Sequence, residues 1–114
     1  MTADDFRTLA LSLEGARYAS RLGAIEFLVK DTVFASLGGP DPNIAVLKLT
    51  REDQARAIAK APGLFLPQPG GAGARGLTCV RLGSATAVSL APWLAAAAAK
   101  ARNRRTTLTV LGGR

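Results

Sequence analysis

The sequence contains no histidine, which removes the commonest general base and the commonest metal ligand together. It has a single cysteine, Cys79, so no internal disulfide can form and no zinc or iron–sulfur spacing exists. Residues 61–114 contain no aspartate or glutamate at all. Aromatics make up only 5% of the chain, so its core must be built mainly from small aliphatic side chains. The longest uncharged run, Gly83 to Ala99, is too short, too rich in alanine and too interrupted by Pro92 to cross a bilayer. Met1-Thr2-Ala3-Asp4-Asp5 lacks the basic and apolar regions of a secretory signal, and a lone thiol suits a reducing compartment. The expectation is a cytoplasmic protein with no membrane partner, no metal and no cofactor.

The 114 residues present are one domain's worth, enough to bury about two-thirds of the unfolded surface in a single core. The net charge of +7 is unevenly placed. Residues 1–60 carry eight basic and eight acidic side chains, whereas 61–114 carry seven basic ones: Arg75, Arg81, Lys100, Arg102, Arg104, Arg105 and Arg114. An anionic partner would be steered toward this second half; the plainer reading is ordinary solubility charge.

Thr2 reads as an N-cap with Asp4 and Asp5 in the first turn, and Phe6, Leu9, Ala10 and Leu13 share one face, which predicts a helix over 3–13. The period then falls to two. Short strands are predicted at 19–22, 26–29, 32–37 and 44–49, with Lys30-Asp31 as a hairpin turn. In 32–37, alternation assigns Val33, Ala35 and Leu37 to one side and Thr32, Phe34 and Ser36 to the other. Thr50 with Glu52 and Asp53 opens a second helix facing Ala55, Ile58 and Ala59 inward, and Pro62-Gly63 stops it.

Two prolines and a run of glycines follow, from Pro67 to Gly76, as a shaped loop tipped by Arg75 and leading into a strand at 77–82. A weak strand near Phe65 belongs to this loop. Ser84 is the expected cap of a last helix whose core side includes Leu90, Trp93, Leu94, Ala97 and Ala101. Pro92 either kinks that helix or delays its start to about Ala91. Asn103 is the expected stop, with 103–114 a basic arm and 106–111 strand-like. Hairpin-length connections predict an α+β fold, a two-layer sandwich with an antiparallel sheet and helices packed on one face.

No constellation suits catalysis, and the expectation is a protein that is not an enzyme. Asp4/Asp5 and Glu52/Asp53 are accounted for by capping. Gly71-Ala72-Gly73-Ala74-Arg75-Gly76 spells G-x-G-x-x-G but opens a strand rather than a helix, so a dinucleotide site does not follow. What survives is a small anion nest of backbone N–H groups with Arg75, against a plain tight turn. Cys79 has no neighbouring base in sequence. Lys100-Ala101-Arg102-Asn103-Arg104-Arg105 either grips phosphate or completes a helix C-terminus.

Asp5-Phe6-Arg7, Leu9-Ala10-Leu11-Ser12-Leu13, Gly15-Ala16, Val33-Phe34-Ala35-Ser36-Leu37, Leu47-Lys48-Leu49-Thr50, Pro62, Phe65-x-Pro67 and Gly73-x-Arg75-Gly76-x-Thr78-x-Val80-Arg81-Leu82 together resemble the MmcQ/YjbR family. The resemblance covers residues 1–101 and implies a CyaY-like (frataxin-like) domain over 1–102. It also implies DNA binding of the "double-wing" kind. Family members often carry a tryptophan in the glycine loop and an aromatic just after it; here Ala72 and Leu77 stand there, so nucleic-acid contact would rest on charge. Frataxin's acidic iron-binding ridge is also absent, and iron does not carry over.

The residues expected to meet nucleic acid are Arg75, Arg81, Lys100, Arg102, Arg104 and Arg105. The alternative is a protein-interaction module or homodimer, using a bare sheet face with Phe34, Leu77 and Cys79 and the alanine-rich last helix.

Overall fold

The computed structural model describes residues 1–39 and 41–112, the side chains of 104–112 excepted. Helix α1 (Ala3–Leu11) leads into strands β1 (Arg17–Arg21), β2 (Ala24–Val29), β3 (Thr32–Leu37) and β4 (Ile44–Lys48). Then come α2 (Arg51–Lys60), β5 (Phe65–Pro67), the single-turn α3 (Gly71–Ala74), β6 (Leu77–Arg81) and α4 (Ala87–Gly112). All six strands form one antiparallel sheet in the order β1-β2-β3-β4-β6-β5. The helices lie on one face of it, giving the α+β two-layer architecture that the pattern predicted.

Local chemistry explains most boundaries. The Thr2 hydroxyl accepts from the Asp5 N–H at 3.1 Å and Asp5 Oδ2 accepts from the Thr2 N–H at 2.9 Å, a complete capping box for α1. Thr50 accepts from the Asp53 N–H at 3.0 Å to start α2. Lys30 and Asp31 both adopt left-handed φ, +51° and +65°. A two-residue hairpin needs those angles to match strand twist.

Phe6, Phe27, Phe34, Phe65, Leu47, Leu49, Leu90 and Leu94 are fully enclosed between sheet and helices, each worth about 1.5–3 kcal/mol of burial. Phe27 meets Phe6 edge-on at 5.9 Å and Phe34 at 6.5 Å. Alanines 97, 98 and 101 let α4 approach the sheet closely.

Several expectations need correction. Phe34 is not on the bare face: the β2–β3 register jumps from Phe27↔Ala35 to Leu28↔Val33, so Phe34 is the extra residue of a bulge. The bulge breaks alternation, and Phe34 and Ala35 are both buried. In α2 the inward residues are Gln54 and Ala57, while Ala55 and Ala59 are exposed. The α4 cap is Thr86, which exchanges hydrogen bonds with Ser89 at 2.9 and 3.1 Å; Ser84 instead closes a 3-10 turn at Leu82–Ser84. Pro92 lies inside α4, and the helix starts before it. It costs the exposed Val88 its helical donor, at a place where water can substitute. The backbone continues helical past Asn103, so no strand forms at 106–111.

Candidate functional site

Strand alternation assigns every residue of the uncovered sheet face. Ala45, Leu47, Thr78 and Val80 are buried under the helices, so Ile44, Val46, Lys48, Leu77, Cys79 and Arg81 point the other way. Cross-strand pairing extends this to Arg17, Ala19 and Arg21 on β1 and to Ala24, Glu26 and Leu28 on β2. One continuous row crosses all six strands: Ala19, Glu26, Ser36, Val46, Cys79 and Leu66. Each of these is half-buried, as in a sheet face without a covering layer. Ser36, Val46 and Cys79 line a hollow of about 370 Å³ with Ile44 and the loop residues Gln68 and Pro69.

Cations frame this row, whose one charged member is Glu26. Toward one end, Arg21 pairs with Ala24 and Arg81 with Ile44; toward the other, Lys48 pairs with Leu77. Arg17, also on this face, is neutralised by Asp31. Among the described residues, Arg21, Lys48, Arg75 and Arg81 make no ion pair. Glu26 is the acid within the row itself.

The glycine loop borders the same face, and its shape is dictated by backbone packing. A Cβ on Gly73 would lie 1.9 Å from the Gln68 carbonyl oxygen, and one on Gly76, at φ +113°, 2.1 Å from the Leu49 carbonyl oxygen. The Leu49 N–H donates to the Gly76 carbonyl at 3.3 Å, stitching the loop to the β4–α2 junction. Gln54 Nε2 donates to the Gly73 and Leu77 carbonyls, both at 3.0 Å. That anchor sets the rotation of α2, and a buried glutamine in an otherwise polar stretch leaves little trace in a hydrophobicity pattern. The Arg75 and Gly76 N–H groups are spent on Ala72 and Gly73 carbonyls, which removes them from the suggested anion nest. The Arg75 guanidinium reaches back over Gly71 and is exposed.

The six expected phosphate-binding residues do not form one cluster. Arg81 is exposed on the uncovered face and Arg75 on its bordering loop. Lys100 and Arg102 ride on α4, in the opposite layer. Lys100 Nζ donates to the Leu49 carbonyl at 3.1 Å and Arg102 to the Glu14 carbonyl at 2.7 Å, so both also brace the fold. Arg104 and Arg105 lie outside the described side chains. Of the expected interface residues, Leu77 and Cys79 are on the bare face and half-buried, and Phe34 is in the core. Burial pushes the Cys79 thiol pKa up, which favours the neutral thiol over the nucleophilic thiolate. Sequence reading missed Arg21 and Lys48, because strand period gives each residue a side but not which sides of different strands coincide.

Among the described residues, no group of three histidine, cysteine or acidic side chains could hold a metal ion. None of their helices is long and apolar enough to cross a membrane.

No family model matches the sequence, and no curated protein matches it. The fold is similar to the crystal structure of Deinococcus radiodurans protein DR2400, which carries a DUF419 domain. The TM-score is 0.64 at 20% identity, over 82% of this chain and 72% of that one.

Proposed function

We propose that this domain is a non-enzymatic, MmcQ/YjbR-like DNA-binding module that contacts phosphates through the cationic frame of its uncovered sheet face. The carrying observation is that Arg21, Lys48 and Arg81 on that face, and Arg75 on the loop bordering it, make no ion pair with any described carboxylate, on a chain of net charge +7. The family part of the reading is supported by the fold likeness to a DUF419 protein, since DUF419 sits in the MmcQ/YjbR-like structural superfamily. Relative to the sequence expectation, the contact moves from the C-terminal cluster to the sheet side. Lys100 and Arg102 contribute long-range field more than direct contact.

Four phosphate contacts imply a log-log salt slope of about −3.6, or roughly a hundredfold loss of affinity between 50 and 200 mM salt. Fluorescence anisotropy on a labelled 20-base-pair duplex reads this directly. No measurable binding at low salt would end the reading.

One observation favours a second reading, a protein contact or homodimer. Beyond Glu26, the row Ser36, Val46, Cys79 and Leu66 is a half-buried, mostly apolar strip with no layer over it, and such strips mark interfaces. Light scattering separates the two: a stable dimer abolished by Val46→Lys supports the second.

A further inference from the structure

Resting on the DNA-binding reading above, we infer that the uncovered face takes duplex nucleic acid laid across its phosphate backbones, in preference to single strands and without reading base sequence. The first ground is where the aromatics are. Phe6, Phe27, Phe34 and Phe65 are all enclosed in the core. Trp93 packs edge-on against Phe65 at 6.2 Å in the helical layer. Tyr18 pairs with the buried Phe27, turning it away from the uncovered face, and lies under the Arg7 guanidinium at 4.3 Å. That accounts for all six aromatic residues of the chain, and none is on the uncovered face. Single-strand binders depend on such rings as stacking platforms. Apart from its framing cations, this face offers unstacked bases aliphatic groups, the Ser36 hydroxyl, the Cys79 thiol and the Glu26 carboxylate, and no ring to stack on.

Shape is the second ground. Six strands spaced about 4.8 Å apart make a face roughly 24 Å wide, about twice the width of the major groove of B-DNA. A two-stranded ribbon enters that groove; this sheet does not, so base edges stay out of reach.

The third ground is how the charge is spread. Arg21 and Arg81 stand four strand intervals apart, about 19 Å, and Arg81 and Lys48 about 14 Å apart along the strands. Cations this dispersed meet phosphates of both strands of a duplex, which carries one charge per about 1.7 Å of axis, twice the density of a single strand. Glu26 in the central row pushes phosphates toward the frame.

The test is anisotropy at 50 mM salt with one 20-base-pair duplex, each of its two strands alone, and an A·T-rich and a G·C-rich duplex of equal length. Duplex binding at least tenfold tighter than either strand is expected, with the two compositions within about threefold of each other. A single strand binding as tightly as the duplex, or a compositional preference above tenfold, overturns the inference while leaving DNA binding in place. Absence of binding by every probe instead sinks the reading beneath it. The double variant Arg21→Ala/Arg81→Ala, checked for fold by circular dichroism, should lose at least tenfold in duplex affinity, while Arg51→Ala on the helical layer should not. Unchanged affinity in the double variant would also overturn the inference, since the contact would then lie elsewhere.

Discussion

Replacing Gly76 by alanine should cost this domain about 3–5 kcal/mol, and the sum can be built from three contributions. Alanine at φ +113° is held in sparsely populated backbone space, at about 1–3 kcal/mol. Its Cβ would sit 2.1 Å from the Leu49 carbonyl oxygen and 3.0 Å from the Leu49 carbonyl carbon. Relief demands that the loop and the β4–α2 junction part by more than 1 Å, roughly the shortfall from ordinary van der Waals contact, an overpacking strain of about 1 kcal/mol. That movement loosens the Leu49 N–H bond to Gly76, at a net cost of about 1 kcal/mol. The melting temperature should fall by about 12–20 °C, taking roughly 4 °C per kcal/mol for a domain of this size. Gly73→Ala, with its Cβ 1.9 Å from the Gln68 carbonyl oxygen, should behave similarly. Gly71→Ala is the control: its Cβ would meet only the mobile end of Arg75 at 3.4 Å, and it should lie within about 0.5 kcal/mol of wild type. Thermal and urea melts followed by circular dichroism measure all three. If Gly73→Ala and Gly76→Ala melt with wild type, the loop is not seated as described and the account of its glycines is wrong.

Further outcomes follow from other sites. Phe34→Ala should destabilise by about 3–5 kcal/mol in urea melts; a surface-like loss below about 0.5 kcal/mol would return Phe34 to the bare face. Glu26→Gln should tighten duplex binding, since it removes the acid from the central row, and weakened binding would count against phosphate contact there. The Asp5 carboxyl is held below its ordinary value chiefly by the Thr2 backbone N–H and secondarily by the Thr2 hydroxyl. Its contribution to stability is therefore present above the unfolded value and lost as pH falls through the lower folded one. Thr2→Ala should raise the Asp5 pKa seen by NMR only part of the way, because the backbone donor stays. For Cys79 the sign is opposite: the fold favours the neutral thiol, so pH has no effect through this group until the unfolded chain ionises, and stability then declines. Iodoacetamide at pH 8 should label folded Cys79 more slowly than the urea-unfolded chain, and equal rates would show the thiol is not shielded.

The layered architecture was legible because caps and turns announce themselves locally. Thr2 with Asp5, Thr50 with Asp53 and Lys30-Asp31 act over three or four residues, and the alternation of 77–81 matched the burial observed. The α4 cap was a local miss, since Thr86 and Ser89 pair three residues apart; the others needed information from distant chain. The bulge at Phe34 exists because β2 and β3 pair with a slip, which neither strand encodes alone. Gln54 turns inward to tie α2 to two carbonyls 19 and 23 residues away, each of which also accepts a backbone N–H. Charge counts located the surplus in the second half correctly but not its arrangement, since Arg81 and Lys100 fall in different layers. Arg21 and Lys48 joined the candidate site only once the strand order put β1 and β4 in one sheet.

The two outermost strands have a bearing on how the chain survives crowding. If two copies of β1 lined up side by side in antiparallel fashion about its midpoint, Arg17 of one would come opposite Arg21 of the other, and the approach would have to desolvate two Arg21 guanidiniums and disturb two Arg17–Asp31 pairs. At the far margin β5 has three residues and ends in Pro67, too brief and too poor in donors to template a neighbour. Sheet growth from molecule to molecule is thus discouraged on both flanks, and the protein can keep a half-buried aliphatic strip without stacking into fibres.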